Sequence, residues 1–218
     1  MALRFAPREQ STPAVTSPAL RAGDSEQLAI PCAFMRGGSS RGGFFLDADL
    51  PPIGPQRDAV LLAAYGSPDS RQIDGIGGAD PLTSKAAVVK RSERPDADVE
   101  YSFYQVGIEQ PKVSIGGSCG NMLAAVGPFA IRRGLVRAVE PETTVRIYTT
   151  NTKQVVTARI PVRNGEPSCE GACSIAGVPD PGAAIRLDFG DCSGAVSGKL
   201  LPTGNARDRI TIDGREIE

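Results

Sequence analysis

The chain reads as an α+β domain, a mixed and mostly antiparallel sheet around one buried central helix. Three observations lead there. Glycine occurs 25 times and proline 18 times in 218 residues, which cuts the chain into many short elements. Most apolar runs are short, bounded by turn residues, and alternate with polar positions as half-buried strands do. One segment, from Gly120 to about Arg133, is instead apolar nearly all round, which suits a helix inside a sheet rather than on one.

Residues 1–26 are rich in Pro, Ser, Thr, Ala and charge and read as a disordered leader. Leu28 to Met35 reads as a strand with Gly43 to Leu46 as its partner, and Arg36 to Gly43 forms a glycine-rich loop between them. The run Asp58 to Tyr65 predicts a short helix, entered through Pro55 and stopped at Gly66. A second glycine-rich loop, Asp74 to Thr83, leads into a strand from Ser84 to Val89. Val99 to Val106 alternates as a strand. In the central helix Pro128 should kink the axis or break the hydrogen-bond ladder, and Gly134 supplies a stop. Thr143 to Thr150 and Gln154 to Val162 read as strands joined by residues 151–153. Ala184 to Phe189 and Arg209 to Ile212 are shorter strands. No internal repeat is visible.

Composition narrows the chemistry. The formal charge is −1, with 24 basic and 25 acidic residues interleaved, so no basic stripe exists for nucleic acid. No window approaches the roughly 18 apolar residues that span a membrane, and residues 1–8 show no secretory signal. A soluble, cytoplasmic protein is expected. The chain has no histidine, which removes Ser-His-Asp and Cys-His catalysis and every His-ligated metal site. Acid–base work then falls to Cys, Lys, Asp, Glu or Tyr. Five cysteines (Cys32, Cys119, Cys169, Cys173, Cys192) lack a framework spacing and read as reduced thiols. No metal is expected at Cys169 and Cys173, which lack a second ligand pair.

Cys119 directly precedes the central helix. Unpaired backbone N–H groups and the helix dipole stabilise a thiolate or a bound carboxylate there. The position alone equally admits a small buried residue filling a turn. Lys85 follows Thr83-Ser84 at the end of a glycine-rich loop, where it could neutralise a carboxylate or serve as an acid; a solvated surface lysine is the plain alternative. The loop Arg36 to Gly43 offers an anion cradle of converging amides with two serines and two arginines, although a tight hairpin would look similar. Together the three suit a small substrate with several carboxylates and proton abstraction beside one of them.

The segment Pro31 to Gly42 (PCAFMRGGSSRG), Thr83-Ser84-Lys85, and Cys119-Gly120-Asn121-Met122 followed by Ala125 to Ala130 resemble the PrpF-like isomerases. That family includes methylaconitate isomerases and 4-oxalomesaconate tautomerases on the diaminopimelate epimerase-like β-roll fold. The resemblance runs from about Gln27 to the end of the chain. It implies two similar lobes with substrate between them, Lys85 and Cys119 as acid/base residues of an allylic proton shift, and no cofactor. It further implies carboxylate binding by the loops carrying Arg36, Ser39, Ser40, Arg41, Ser84, Gly120, Asn121 and Met122. Within the family, a 4-oxalomesaconate-type substrate from aromatic-compound degradation is favoured over an aconitate. Departures are Ser39 where the family usually carries Thr, Arg41 where it often carries Lys, and Ser118 where Asn more often precedes the cysteine. Family members are longer, so residues 27–196 are expected to be the first lobe and residues 197–218 a lead towards a second. A lone lobe is expected to turn over poorly and to self-associate, as a homodimer, through its apolar inner face. The alternatives are a catalytically weak, carboxylate-binding accessory lobe and an amino-acid epimerase, which would need a second cysteine placed like Cys119.

Overall fold

The structure is a computed structural model that describes residues 28–190 and 197–217. The leader expected over residues 1–26, and Cys192, lie outside the described residues. Strand β1 (Ala33–Gly37) turns through Gly38, at φ 54°, into β2 (Ser40–Leu46). Pairing begins at Ala33 rather than at Leu28, and Pro31, which has no N–H to give a ladder, precedes it. Helix α1 (Pro55–Tyr65) has proline in its first turn and ends on Gly66 in the left-handed region at φ 69°.

Strands β3 (Lys85–Arg91) and β4 (Val99–Val106) follow, then the two-residue β5 (Val113–Ser114) and helix α2 (Gly120–Arg132). After α2 come β6 (Glu142–Thr149), β7 (Gln154–Arg163), β8 (Glu166–Pro167) and β9 (Arg186–Asp188). Strands β10 (Ile210–Ile212) and β11 (Arg215–Ile217) form a separate exposed hairpin. The main sheet runs β1-β2-β3-β4-β6-β7-β8, with β5 on β4 and β9 on β7. Its pairings are antiparallel except β2–β3 and β4–β6, each of which closes over a helical crossover.

Alternation sorts the sheet into two faces. Phe44, Ala87, Val89, Val99, Tyr101, Phe103, Val145, Ile147 and Ile160 pack with Met122, Leu123, Val126, Phe129 and Ala130 of α2. Phe45, Ala86, Val88, Tyr104 and Val106 pack on the other face with Leu61 and Tyr65 of α1. Helix α2 is not buried all round. Asn121, Ala124, Pro128 and Arg132, near fourfold spacing, form a stripe that lines a cavity. Helix α2 also continues through Pro128. The proline removes only the N–H that Ala124 would have accepted, and the buried residues on either side hold the turns in place.

Candidate active site

Cys119 is the N-cap of α2, in an extended conformation at φ −126°. The N–H groups of Gly120, Asn121 and Met122 follow it in the first turn, where no intrahelical acceptor exists. The Cys119 thiol is half-buried and lies 4.0 Å from the Ser40 hydroxyl. Ser40 is itself buried, on the α2 side of β2 in line with Gly42 and Phe44.

Strand register places Lys85 on this same side. Its Cα pairs with Gly42 of β2 and with Gln105 of β4, and Gln105 pairs with Ser114 of β5. One row therefore crosses the sheet beside the α2 N-terminus, with the Lys85 and Gln105 side chains on the helix side. Lys85 is 8% exposed. Its Nζ donates to Gln105 Oε1 at 2.9 Å and sits 5.3 Å from the Phe103 ring centre.

Gly42 makes the row possible, because a Cβ there would stand 1.7 Å from the Lys85 carbonyl oxygen. Into the same place comes Tyr65 of α1. Its hydroxyl accepts from Gly43 N–H at 2.8 Å and donates to the Lys85 carbonyl. Burial pushes the Tyr65 phenol well above its ordinary range. Tyr101 is fully buried too, and among the described residues its hydroxyl is the buried side-chain polar atom without a partner. Burial, and secondarily the charge of Cys119, push its phenol up.

The β1–β2 tip seats on the α2 N-terminus. Asn121 Nδ2 donates to Ser39 Oγ at 3.0 Å, and a Cβ on Gly37 would meet the Asn121 carbonyl at 2.4 Å. Ser39, Ser40, Cys119, Gly120 and Asn121 are thus brought together, with Lys85 on the shared side of the sheet. Met122 contributes backbone only, since its side chain is buried in the core.

Arg36, Arg41 and Ser84 stand apart. Arg36 pairs with Arg41 across the hairpin, alternate to Ser40. Arg36 donates to the Gly38 carbonyl and lines the cavity, whereas Arg41 covers the Phe34 ring at 5.5 Å. Ser84 is fully buried and its hydroxyl donates to Gln72 Oε1 at 2.7 Å, inside the loop before β3.

The cavity holds about 520 Å³ between the open stripe of α2, Gly37 and Gly38, and the 167–187 segment. Gly120 and Asn121 line it, but Cys119, Ser40 and Lys85 do not. It borders the α2 N-terminus without enclosing the thiol or the amine. No group of three or more Cys, Asp or Glu among the described residues could hold a metal ion. Among them, too, no helix is long and apolar enough to cross a membrane. Gln105, Tyr65 and Tyr101 were not singled out in the sequence. Their partners lie far along the chain, and no local pattern marks them.

This arrangement can be compared with known proteins. A 4-oxalomesaconate tautomerase of Pseudomonas putida is 53% identical over 191 residues, covering 88% of this chain and 52% of the relative. A 3-methylitaconate isomerase of Eubacterium barkeri is 48% identical over 194 residues, covering 89% of this chain and 51% of the relative. A crystal structure of a methylitaconate-delta-isomerase superposes with a TM-score of 0.78 at 49% identity, over 86% of this chain and 49% of that one. The chain therefore spans about half the length of the curated relatives it matches. The family model described as PrpF protein matches residues 27–218, and the chain belongs to that family.

Proposed function

We propose that this chain carries the acid–base half-site of an isomerase that moves a proton across three carbons of an unsaturated polycarboxylic acid. The observation that carries this reading is the Cys119 thiol at the start of α2, beside Ser40 and on the same side of the sheet as the buried amine of Lys85. The names of the relatives, a 4-oxalomesaconate tautomerase and a 3-methylitaconate isomerase, support the reaction class.

One member of the Cys119–Lys85 pair removes a proton from the allylic carbon. The C–H electron pair becomes the new double bond, the old double bond shifts towards the carboxylate, and the extra electrons rest on the carboxylate oxygens. The other member delivers a proton to the far carbon. Substrate and product have the same atoms, and the pair exchanges its protons with water to reset. No oxidant, metal or organic cofactor enters this balance. Free N–H groups at Gly120, Asn121 and Met122, with the Ser39 and Ser40 hydroxyls, would hold the carboxylate on which charge develops. Arg36, Arg41 and Ser84 would act at longer range, by attracting anions or by shaping the loop before β3.

In this reading residues 27–196 are one lobe of a two-lobe epimerase-like fold with α2 as its central helix, and residues 197–218 lead on towards the other. The half-length match to the relatives and the open flank of α2 support it. Turnover by these 218 residues alone is then slow.

The test is substrate-proton exchange followed by NMR in heavy water, with 4-oxalomesaconate and methylaconitate given separately. The chain should exchange allylic protons of one of them, and Cys119→Ser should lower the rate about 100-fold or more. Exchange that is undiminished in Cys119→Ser would sink the assignment. Binding without exchange would favour an accessory, carboxylate-holding role.

A further inference from the structure

Lys85 is nearly buried, yet among the described residues no carboxylate forms an ion pair with it. The ion pairs among the described residues join Arg57 to Asp47, Lys90 to Glu100, Arg94 to Asp96, Arg132 to Glu166, Arg146 to Asp98 and Arg159 to Glu142. None involves Lys85. A buried lysine paired with a carboxylate is held as ammonium and cannot easily give its proton away. Among the described residues the Lys85 amine instead meets one neutral acceptor, Gln105 Oε1 at 2.9 Å, and one ring, Phe103.

The Gln105 amide cannot turn over to offer anything else. Its Nε2 donates to the Ser84 carbonyl at 3.0 Å and to the Pro81 carbonyl at 3.2 Å. Flipping it would set an oxygen against two carbonyls and an NH2 against the amine. The loop that enters β3 thus aims a carbonyl oxygen at Lys85 through this one side chain.

From these contacts we infer that Gln105 is the positioning residue of the site: it orients the Lys85 amine with a single neutral hydrogen bond and leaves it without a carboxylate, so that the amine can both take and release a proton. The same choice keeps negative charge away from a bound polycarboxylate. The side chains sharing this part of the sheet are Ser40 from β2, Tyr101, Phe103 and Gln105 from β4, Ser114 from β5 and Cys119 from the α2 cap. Cys119 and Tyr101 are the titratable groups among them, and burial pushes the Tyr101 phenol up so that it stays neutral. Asp80, in the loop before β3, spends a carboxylate oxygen on the Leu82 N–H.

The inference rests on the proton-carrying role given to Lys85, but its test needs no substrate. The chain has five lysines, so 13C-labelling at lysine Cε gives five resolvable signals, and Lys85→Arg assigns the one at this site. That signal is titrated in the unmodified chain, in Gln105→Glu and in Gln105→Met. The glutamate places an opposite charge at hydrogen-bond distance and should raise the midpoint by about one pH unit or more. The methionine removes the acceptor of the ammonium N–H and should lower it. Midpoints that coincide in all three proteins, or that move in the same direction in both variants, overturn the inference. A residue that merely braced the 81–84 loop would produce one of those two results. Deuterium exchange run beside the titration separates the two claims. Opposite midpoint shifts with no exchange in any protein keep Gln105 as the positioning residue and remove the proposed reaction.

Discussion

Tyr65 and Tyr101 are the residues whose chemistry is most constrained by where they sit. Both phenols are fully enclosed and pushed above their ordinary value of 10, chiefly by burial. The native state therefore keeps these protons at a pH where the unfolded chain has begun to lose them. Stability contributed by the neutral phenols is fully present below about pH 10 and declines as pH rises beyond it, by about 1.4 kcal/mol per pH unit for each tyrosine. Urea unfolding at a series of pH values between 9 and 11.5 should show that decline, and Tyr65→Phe should remove about half of its slope. A slope unchanged in Tyr65→Phe would mean that other groups govern alkaline unfolding. At neutral pH the same substitution leaves Gly43 N–H and the Lys85 carbonyl without their shared partner, at a cost of about 1–3 kcal/mol.

Among the elements, the β2–β3 pair is the least forgiving. Gly42→Ala puts a methyl group 1.7 Å from the Lys85 carbonyl oxygen, where the obstacle is backbone and cannot step aside. The strands must part, and the loss should be about 3 kcal/mol or more, read as a lower urea midpoint. Gly127→Ala in α2 is a milder contrast. Its Cβ meets the side chain of Ile160 at 2.5 Å rather than backbone, and alanine regains about 1 kcal/mol of helix propensity. A Gly42→Ala variant that unfolds like Gly127→Ala would show that β2 and β3 are looser than the register requires. The same elements show what the sequence could tell. Helix α1, β4 and α2 were readable almost to the residue, because Pro55, Gly66 and Gly134 punctuate them and their apolar pattern is long. Strands β5 and β8 were not, since two residues carry no period, and β11 escaped for much the same reason.

Over the molecule as a whole, Cys119 and Lys85 could be nominated from glycine context and motif resemblance, but their surroundings could not. Ser84 looked like a loop hydroxyl open to ligand, and only the fold shows it facing Gln72. Arg41 differs from Ser40 by one position, and strand alternation sends the two to opposite sides of the sheet. Large apolar side chains remain exposed, among them Phe34, Leu82 and Ile115 in segments that adjoin the site, and Leu200, Ile210 and Ile212 further on. Sedimentation at increasing concentration should accordingly show self-association. A single monomeric species up to high concentration would run against a sticky inner surface.

The two parallel pairings carry a consequence for how the protein is made. Lys85 reaches Gly42 only after the first crossover has folded back, and Cys119 arrives only with the second. Contacts of such long sequence separation form late and slowly, because loop-closure entropy must be overcome first. Until both crossovers have closed, the thiol and the amine are strangers on a flexible polymer. A nascent chain thus lacks the proposed thiol–amine pair, which is assembled as one of the final events of maturation.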